Sequence, residues 1–357
     1  MIQKISIKLL TAIIFCSTLI SCSGQEGQAK INKDVGTSNN MLIVRPETQE
    51  PIIFPNFTNQ IAETVRVMFH DSRGGFWFGT HDGAYKLVGD TLMHIDEIKS
   101  ASGTGVAIRA IKESTNGKIW FGHSGGISYI DDGKIINLYE SDGLISHDVW
   151  SLETDFKGNT WVGTIDGVSV FDGKKFTTFE LPKGEVDTTV GVSSTTFIHN
   201  IMADRKGRIW FSTNGGVYIK ENNKLTEISK KDGLKSNFVS KVIETQKGEF
   251  MISTSKGLYL YNGDSLVDIS SKLFKETKGT SNIVEAANGD IWFNCSRSIF
   301  RLSNNELTEH KILEGNYGPL AYQIYKDRNE RIWFVGWGGA FRFENGKILN
   351  ITRDGPW

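Results

Sequence analysis

Residues 149–180 read VWSLETD (149–155), FKGN (156–159), TWVGTIDGVSVF (160–171), DGKK (172–175) and FTTFE (176–180). Apolar and polar residues alternate in the longer pieces, as they do in a strand with one buried face, and the short pieces between are turn formers. Asp155 opens the first turn, where its side chain can accept a hydrogen bond from backbone two residues on, and Gly158 supplies the positive φ of a tight hairpin. The Ile165-Asp166-Gly167 step inside the third piece is a second hairpin. The stretch therefore predicts four short antiparallel strands in about thirty residues, too few to bury both faces alone.

The same unit recurs along the chain. Trp77, Trp120, Trp161, Trp210, Trp292 and Trp333 stand at intervals of 43, 41, 49, 82 and 41 residues, and Met251 falls in the middle of the double interval. Asp71, Asp204 and Asp327 repeat the turn aspartate, and Gly74, Gly117, Gly207 and Gly248 repeat the turn glycine. Six residues after the Trp or Met comes Gly83, Gly126, Gly167, Gly216, Gly257 and Gly339, with Ser298 as the exception. Seven such units between about residues 65 and 351 predict an all-β fold, a seven-bladed β-propeller of four-stranded antiparallel blades. A ring that recurs at one place in each blade belongs between blades, not on an open sugar-binding surface. Either the ring closes on its own last strand, or residues 51–58 add an edge to the last blade.

The pattern Asp-x-x-Gly-x-Ile/Thr-Trp-Phe/Val-Gly-Thr-x-x-Gly, carried over residues 65–351, resembles the two-component regulator propeller repeat. That resemblance implies a seven-bladed propeller of the kind found in periplasmic ligand-sensing domains of hybrid sensor kinases and in free-standing lipoproteins. The fifth unit departs from it with Met251, and the sixth with Asn294-Cys295 where Gly-Thr is expected. The chain ends at Trp357 after its last repeat, so it is expected to bind without phosphorylating.

The N-terminus carries Lys4 and Lys8 and then an apolar run from Leu9 to Ile20, shorter than a membrane span. Residues 1–21 are expected to be a signal peptide. Leu19-Ile20-Ser21-Cys22 resembles a lipobox, which implies lipidation of Cys22 and a membrane anchor. Residues 22–50, rich in Gly, Ser, Asn and Gln, read as a flexible tether, and residues 51–357 as the propeller. Ser23 after the cysteine argues against retention at the inner membrane and so for the outer one, and the single acid that follows closely, Glu26, for its periplasmic face, with surface exposure as the alternative. Once the leader is removed and Cys22 acylated, Cys295 is the remaining thiol, so no intramolecular disulfide forms. With 40 Lys and Arg against 41 Asp and Glu, no basic excess points to nucleic acid.

Function is expected in the channel. Eleven residues before each Trp or Met the chain reads Arg66, Arg109, Trp150, His199, Ser240, Ser281 and Tyr322. Apolar anchors flank this position, such as Val65 and Met68, so it should face the channel unless a bulge turns it. Guanidinium groups grip carboxylates through paired hydrogen bonds, and aromatic faces stack on apolar or sugar rings. Arg66, Arg109, Trp150, His199 and Tyr322 are therefore candidate ligand-binding residues, with His81, His123 and Trp337 added from neighbouring positions; His147 is a weaker candidate. No catalytic triad, metal or cofactor motif accompanies them. The leading expectation is a non-catalytic, sensor-like module for an acidic small molecule or glycan fragment. An envelope-protein scaffold is the alternative, and a lyase using His199 as base beside Arg66 and Arg109 the third. If Cys22 carries the anchor, Cys22→Ser shifts the protein from the membrane to the soluble envelope fraction on fractionation; retention with membranes would rule that anchor out.

Overall fold

The computed structural model describes residues 43–44, 59–192, 194–296, 298–310 and 321–357. Within them the repeat folds into seven antiparallel blades. The stretch at 149–180 forms Val149–Thr154, Thr160–Thr164, Gly167–Phe171 and Phe176–Phe179, hydrogen-bonded in that order. The seven inner strands are Val65–His70, Ile108–Glu113, Val149–Thr154, Ile198–Ala203, Val239–Glu244, Thr280–Glu285 and Ala321–Lys326. Each packs beside the next and the last beside the first, which makes a closed ring around a central channel.

The repeated Trp residues lie between blades, as their spacing predicts. All six are at most 5% exposed, and Met251 matches them at 3%. The ring of one blade meets the Phe that follows the Trp in the next: Trp77 to Phe121 at 5.7 Å, Trp161 to Phe211 at 5.7 Å, Trp292 to Phe334 at 5.5 Å. Burying so large a side chain contributes roughly 1.5–3 kcal/mol.

The turn aspartate does more than shape its turn. Asp204 Oδ1 accepts from Lys206 N and Arg208 N, and its Oδ2 accepts from Trp210 Nε1 at 2.8 Å. Asp71, Asp155 and Asp327 hold Trp77, Trp161 and Trp333 in the same way, at 2.8, 2.9 and 2.8 Å. One carboxylate thus fixes the hairpin and satisfies the indole N–H that burial would otherwise strand. At Asp155 burial pushes the carboxyl pKa up, and the hydrogen bonds from Trp161, Asn159 and Lys157 more than offset it, leaving a net lowering. Blade two shows what the carboxylate supplies. Ser114 stands in its place, bonds to Asn116 and Lys118, and leaves the buried Trp120 Nε1 without a partner among the described residues.

A second repeated link joins neighbouring blades at their turns. Seven residues before the Trp or Met, Glu113, Glu244 and Glu285 accept from the backbone N–H of Ser72, Arg205 and Gln246 in the preceding blade. At the closure His70 takes this role, its Nδ1 accepting from Arg328 N at 3.2 Å. The seam between blades seven and one is further held by Met68 N donating to Gln323 Oε1 and by Arg353 donating to the carbonyls of Gln60 and Ile61.

Among the described residues, blade seven builds its four strands from Ala321 to Ile351. Residues 51–58 lie outside the described residues. Gln60 does bridge Thr352, just beyond the outer strand of that blade. Within the stretch read as a tether, Ile43–Val44 pair in parallel with Leu307 and Thr308 on the outer edge of blade six; the signal region and Cys22 lie outside the described residues. On thermal melting, Asp204→Ala should cost about 2–3 kcal/mol, the value of hydrogen bonds to a charged group. Ser114→Asp, by giving Trp120 its missing acceptor, should raise stability by about 1 kcal/mol.

Candidate functional site at the channel mouth

A bulge does lie in the inner strand, and it falls at the candidate position itself. In blade one Val65 pairs with Thr80 and Val67 with Gly79, so Arg66 is passed over. The same skip passes over Arg109, Trp150, His199, Ser240 and Tyr322. A bulged residue is left out of the ladder and re-aimed. Because all six are bulged alike, the irregularity keeps them equivalent where an isolated bulge would scatter them. Blade six differs: its shift falls between Ser281 and Val284, so Ser281 stays paired with Asn294.

The bulged side chains touch their neighbours in two runs, Tyr322 with Arg66 and Arg109 through Trp150 to His199. The Arg66 guanidinium lies 5.3 Å from the centre of the Tyr322 ring and donates from Nε to His81 Nε2 at 3.0 Å. Arg109 lies 4.3 Å over Trp150 and forms an ion pair with Asp148, whose other oxygen accepts from Trp150 Nε1 at 3.1 Å. Trp150 meets Phe197 edge-on at 4.9 Å, Phe197 meets His199 at 4.3 Å, and His199 meets Phe238 at 4.5 Å. The result is a cationic and aromatic belt over blades seven, one, two, three, four and five. Tyr322 is its most open member, 41% exposed, and Arg66, Arg109, Trp150 and His199 are partly buried.

The belt's charges are unevenly committed. Arg109 spends its charge on Asp148, whereas Arg66 has no carboxylate partner among the described residues. Burial lowers the pKa of both, and that of Arg109 falls to about 10 with a further contribution from the nearby Arg66. The expected pair of free guanidinium groups is thus one free group and one internally paired. His81 is lowered by burial first and by Arg66 second, so it stays an acceptor for the Arg66 N–H. His199 is lowered to about 4 by burial, against a raising contribution from its hydrogen bond to Asn214. Asn214 Nδ2 donates to Ser194 O, which assigns Oδ1 to the 2.6 Å contact with His199 Nε2 and makes that nitrogen the donor.

The remaining candidates are not drawn in. His123 is fully buried: Nδ1 accepts from Gly125 N, and Nε2 bonds Ser128 Oγ, which in turn donates to Asn137. Its pKa falls to about 3 through burial and then through Arg109. It is a core histidine with both nitrogens used, and it offers a ligand nothing. His147 bonds Glu140 on an exposed loop. Trp337 is half-buried at the closure seam, its backbone bridged to Thr64. Three belt members were not among the candidates: Asp148, Phe197 and Phe238, each two residues before a bulged position. Strand alternation puts residues two apart on one side, and that was the available signal. Burial pushes the Cys295 thiol up to about 11, which leaves it unreactive. Among the described residues no cluster of three or more His, Cys, Asp or Glu side chains is placed to hold a metal.

His199 and His123 make stability depend on pH with a definite sign. Their folded pKa values of about 4 and 3 lie below the ordinary 6.5, so the unfolded chain takes up protons first as pH falls. Their contribution is complete above pH 6.5 and is lost as pH falls from there towards 4. As far as these histidines set it, a melting series should be flat between about pH 6.5 and 7.5 and decline below, and His199→Gln should flatten part of the decline.

No curated protein matches the chain in sequence. The family model described as "Two component regulator propeller" matches residues 191–215. The extracellular domain of the putative hybrid two component system BT3049 from B. thetaiotaomicron superposes with TM-score 0.57 at 22% identity, covering 69% of this chain and 34% of that one. The extracellular domain of BT4673 from the same organism gives 0.62 at 17% identity, with 81% and 38% covered. The chain thus spans little more than a third of those structures. Virginiamycin B lyase from Staphylococcus aureus gives 0.62 at 15% identity, with 79% and 95% covered. At such identities the likeness establishes the fold alone. The chain is a seven-bladed propeller in which residues 191–215 match the two-component regulator propeller model, and its fold is similar to that of the extracellular domains of putative hybrid two-component systems.

Proposed function

We propose that this protein is an exported, non-catalytic binding propeller of the cell envelope, tethered by lipid on Cys22. Its belt holds an acidic small molecule or glycan fragment. The observation that supports this reading is the belt, in which Arg66, with no carboxylate partner among the described residues, lies beside the Tyr322 ring, and Trp150 offers a second aromatic face further round. A ring-shaped ligand stacks on an aromatic face, and its carboxylate or sulfate takes the free guanidinium. The likeness to sensor extracellular domains favours the same reading. A lyase would need a base. His199, with a pKa near 4 and flanked by Phe197 and Phe238, is a weak one at neutral pH.

The test is a titration of the mature domain with oligosaccharides containing uronic acids, alongside their neutral counterparts. Arg66→Ala should weaken the acidic ligand by about 10- to 150-fold, equivalent to the roughly 1.5–3 kcal/mol of a charge-assisted hydrogen bond. Its melting temperature should hardly move, because the side chain is not part of the inter-blade core. Undiminished affinity in Arg66→Ala would move the function to the outer faces of the ring and to an envelope-protein partner.

A further inference from the structure

The connections that lead from one blade's outer strand to the next blade's inner strand surround the channel mouth, and their charges are sorted by blade. Those entering blades two and three, residues 96–107 and 139–148, carry Asp96, Glu97, Glu140 and Asp142 against Lys99, besides the Asp148 that pairs with Arg109. Those entering blades five and six, residues 229–238 and 269–279, carry Lys230, Lys231, Lys235, Lys272, Lys275 and Lys278 against Asp232 and Glu276. The whole chain is balanced, with 40 Lys and Arg against 41 Asp and Glu, so the mouth owes its basic side to placement and not to an excess.

The lysines belong to one patch that adjoins the belt. Lys235 Nζ bonds Asp268 Oδ2 at 2.7 Å, which ties the first basic connection to the end of the blade-five outer strand, where the second begins. Asp232 is spent on its own turn, accepting from Ser229 N at 2.9 Å. Lys230, Lys231, Lys272, Lys275 and Lys278 are exposed and have no carboxylate partner among the described residues. The first connection starts at the outer strand of blade four with Lys230 and Lys231 and ends at the inner strand of blade five with Phe238, whose ring meets His199 at 4.5 Å. It therefore runs from the basic rim inward to the last aromatic member of the belt. Scattered lysines would only solvate a surface. Gathered on one side of the mouth, opposite a sector of carboxylates, they draw a polyanion towards blades five and six and repel it from blades two and three. Lysine is a mobile point charge without the planar fork of arginine, so such a patch suits charges repeated along a chain more than one fixed carboxylate.

We propose that the mouth of blades five and six is an electrostatic extension of the belt, a docking surface for the remainder of an acidic polysaccharide whose end residue sits in the belt. The identity of this occupant rests on the belt reading, whereas the basic patch does not. Successive carboxylates along the chain each meet an ammonium, so affinity rises with chain length, and salt screens the rise away.

The experiment is a calorimetric titration of the mature domain with the dimer and the octamer of galacturonic acid, at low and at high salt. At low salt the octamer should bind at least about tenfold tighter than the dimer, and high salt should remove most of that gain. Replacing Lys272, Lys275 and Lys278 together by Gln should abolish most of the gain and leave the dimer unaffected, with an unchanged melting temperature because all three are exposed. Replacing Lys174 and Lys175 by Gln, in the exposed turn between the third and outer strands of blade three on the opposite face, should change neither. Arg66→Ala should weaken the dimer and keep the salt-dependent gain of the octamer. Failure of the octamer to bind at low salt, equal affinity for dimer and octamer, or a gain that survives in the Lys272, Lys275 and Lys278 variant overturns the extension. An equal loss in the Lys174 and Lys175 variant reduces the effect to net charge and overturns it as well. A dimer indifferent to Arg66→Ala, with the octamer gain intact, overturns the belt reading and leaves the basic surface standing.

Discussion

A carboxylate that accepts two backbone N–H groups and one indole N–H is the contact on which the rest of the molecule depends. At Asp71, Asp155, Asp204 and Asp327 it ties the first hairpin of a blade to the large side chain that packs against the next blade. Local turn and long-range packing are therefore specified by one residue pair six positions apart. Each alone would be weaker: a turn without its Trp lacks a partner blade, and a buried indole without its acceptor is left like Trp120, whose Nε1 has no partner among the described residues. The Glu113, Glu244 and Glu285 links repeat the same economy between blades, and His70 extends it across the closure.

The rigidity this confers lets the inner strands tolerate an irregularity. Leaving a residue out of a ladder weakens pairing, and here six of seven blades accept that weakening at the same step. What they gain is a ring of side chains free of the inter-blade core, able to vary in chemistry without disturbing the fold. Arg, Trp, His, Ser and Tyr all occur there, while one position on either side stays largely apolar or clamps a neighbour. Residues ten before the Trp or Met are apolar in blades one and two and polar in blades three to seven, so the inner strands are not uniform around the ring.

Most of the architecture was legible because the Trp period, the turn aspartate and the hairpin glycines all report local hydrogen bonding that one unit repeats along the chain. The site was legible only in part. The bulge that places Arg66, Arg109, Trp150, His199 and Tyr322 leaves no mark in residue type, because it follows from how the inner strand fits its neighbours. The commitment of Arg109 to Asp148 was open to reading from alternation but needed the two strand positions to be taken together. His123 misled because a polar residue at a strand end looks accessible, and what buries it is the Ser128 and Asn137 chain in its own blade.

A binding role for the repeated bulge is tested most directly by a crystal structure of the mature domain with an acidic oligosaccharide shown to bind it. A sugar ring stacked at Trp150 or Tyr322 with its carboxylate on Arg66 is the expected result. A ligand seated on the outer rim, with the belt contacts of Arg66, Trp150 and Tyr322 unchanged, would contradict it.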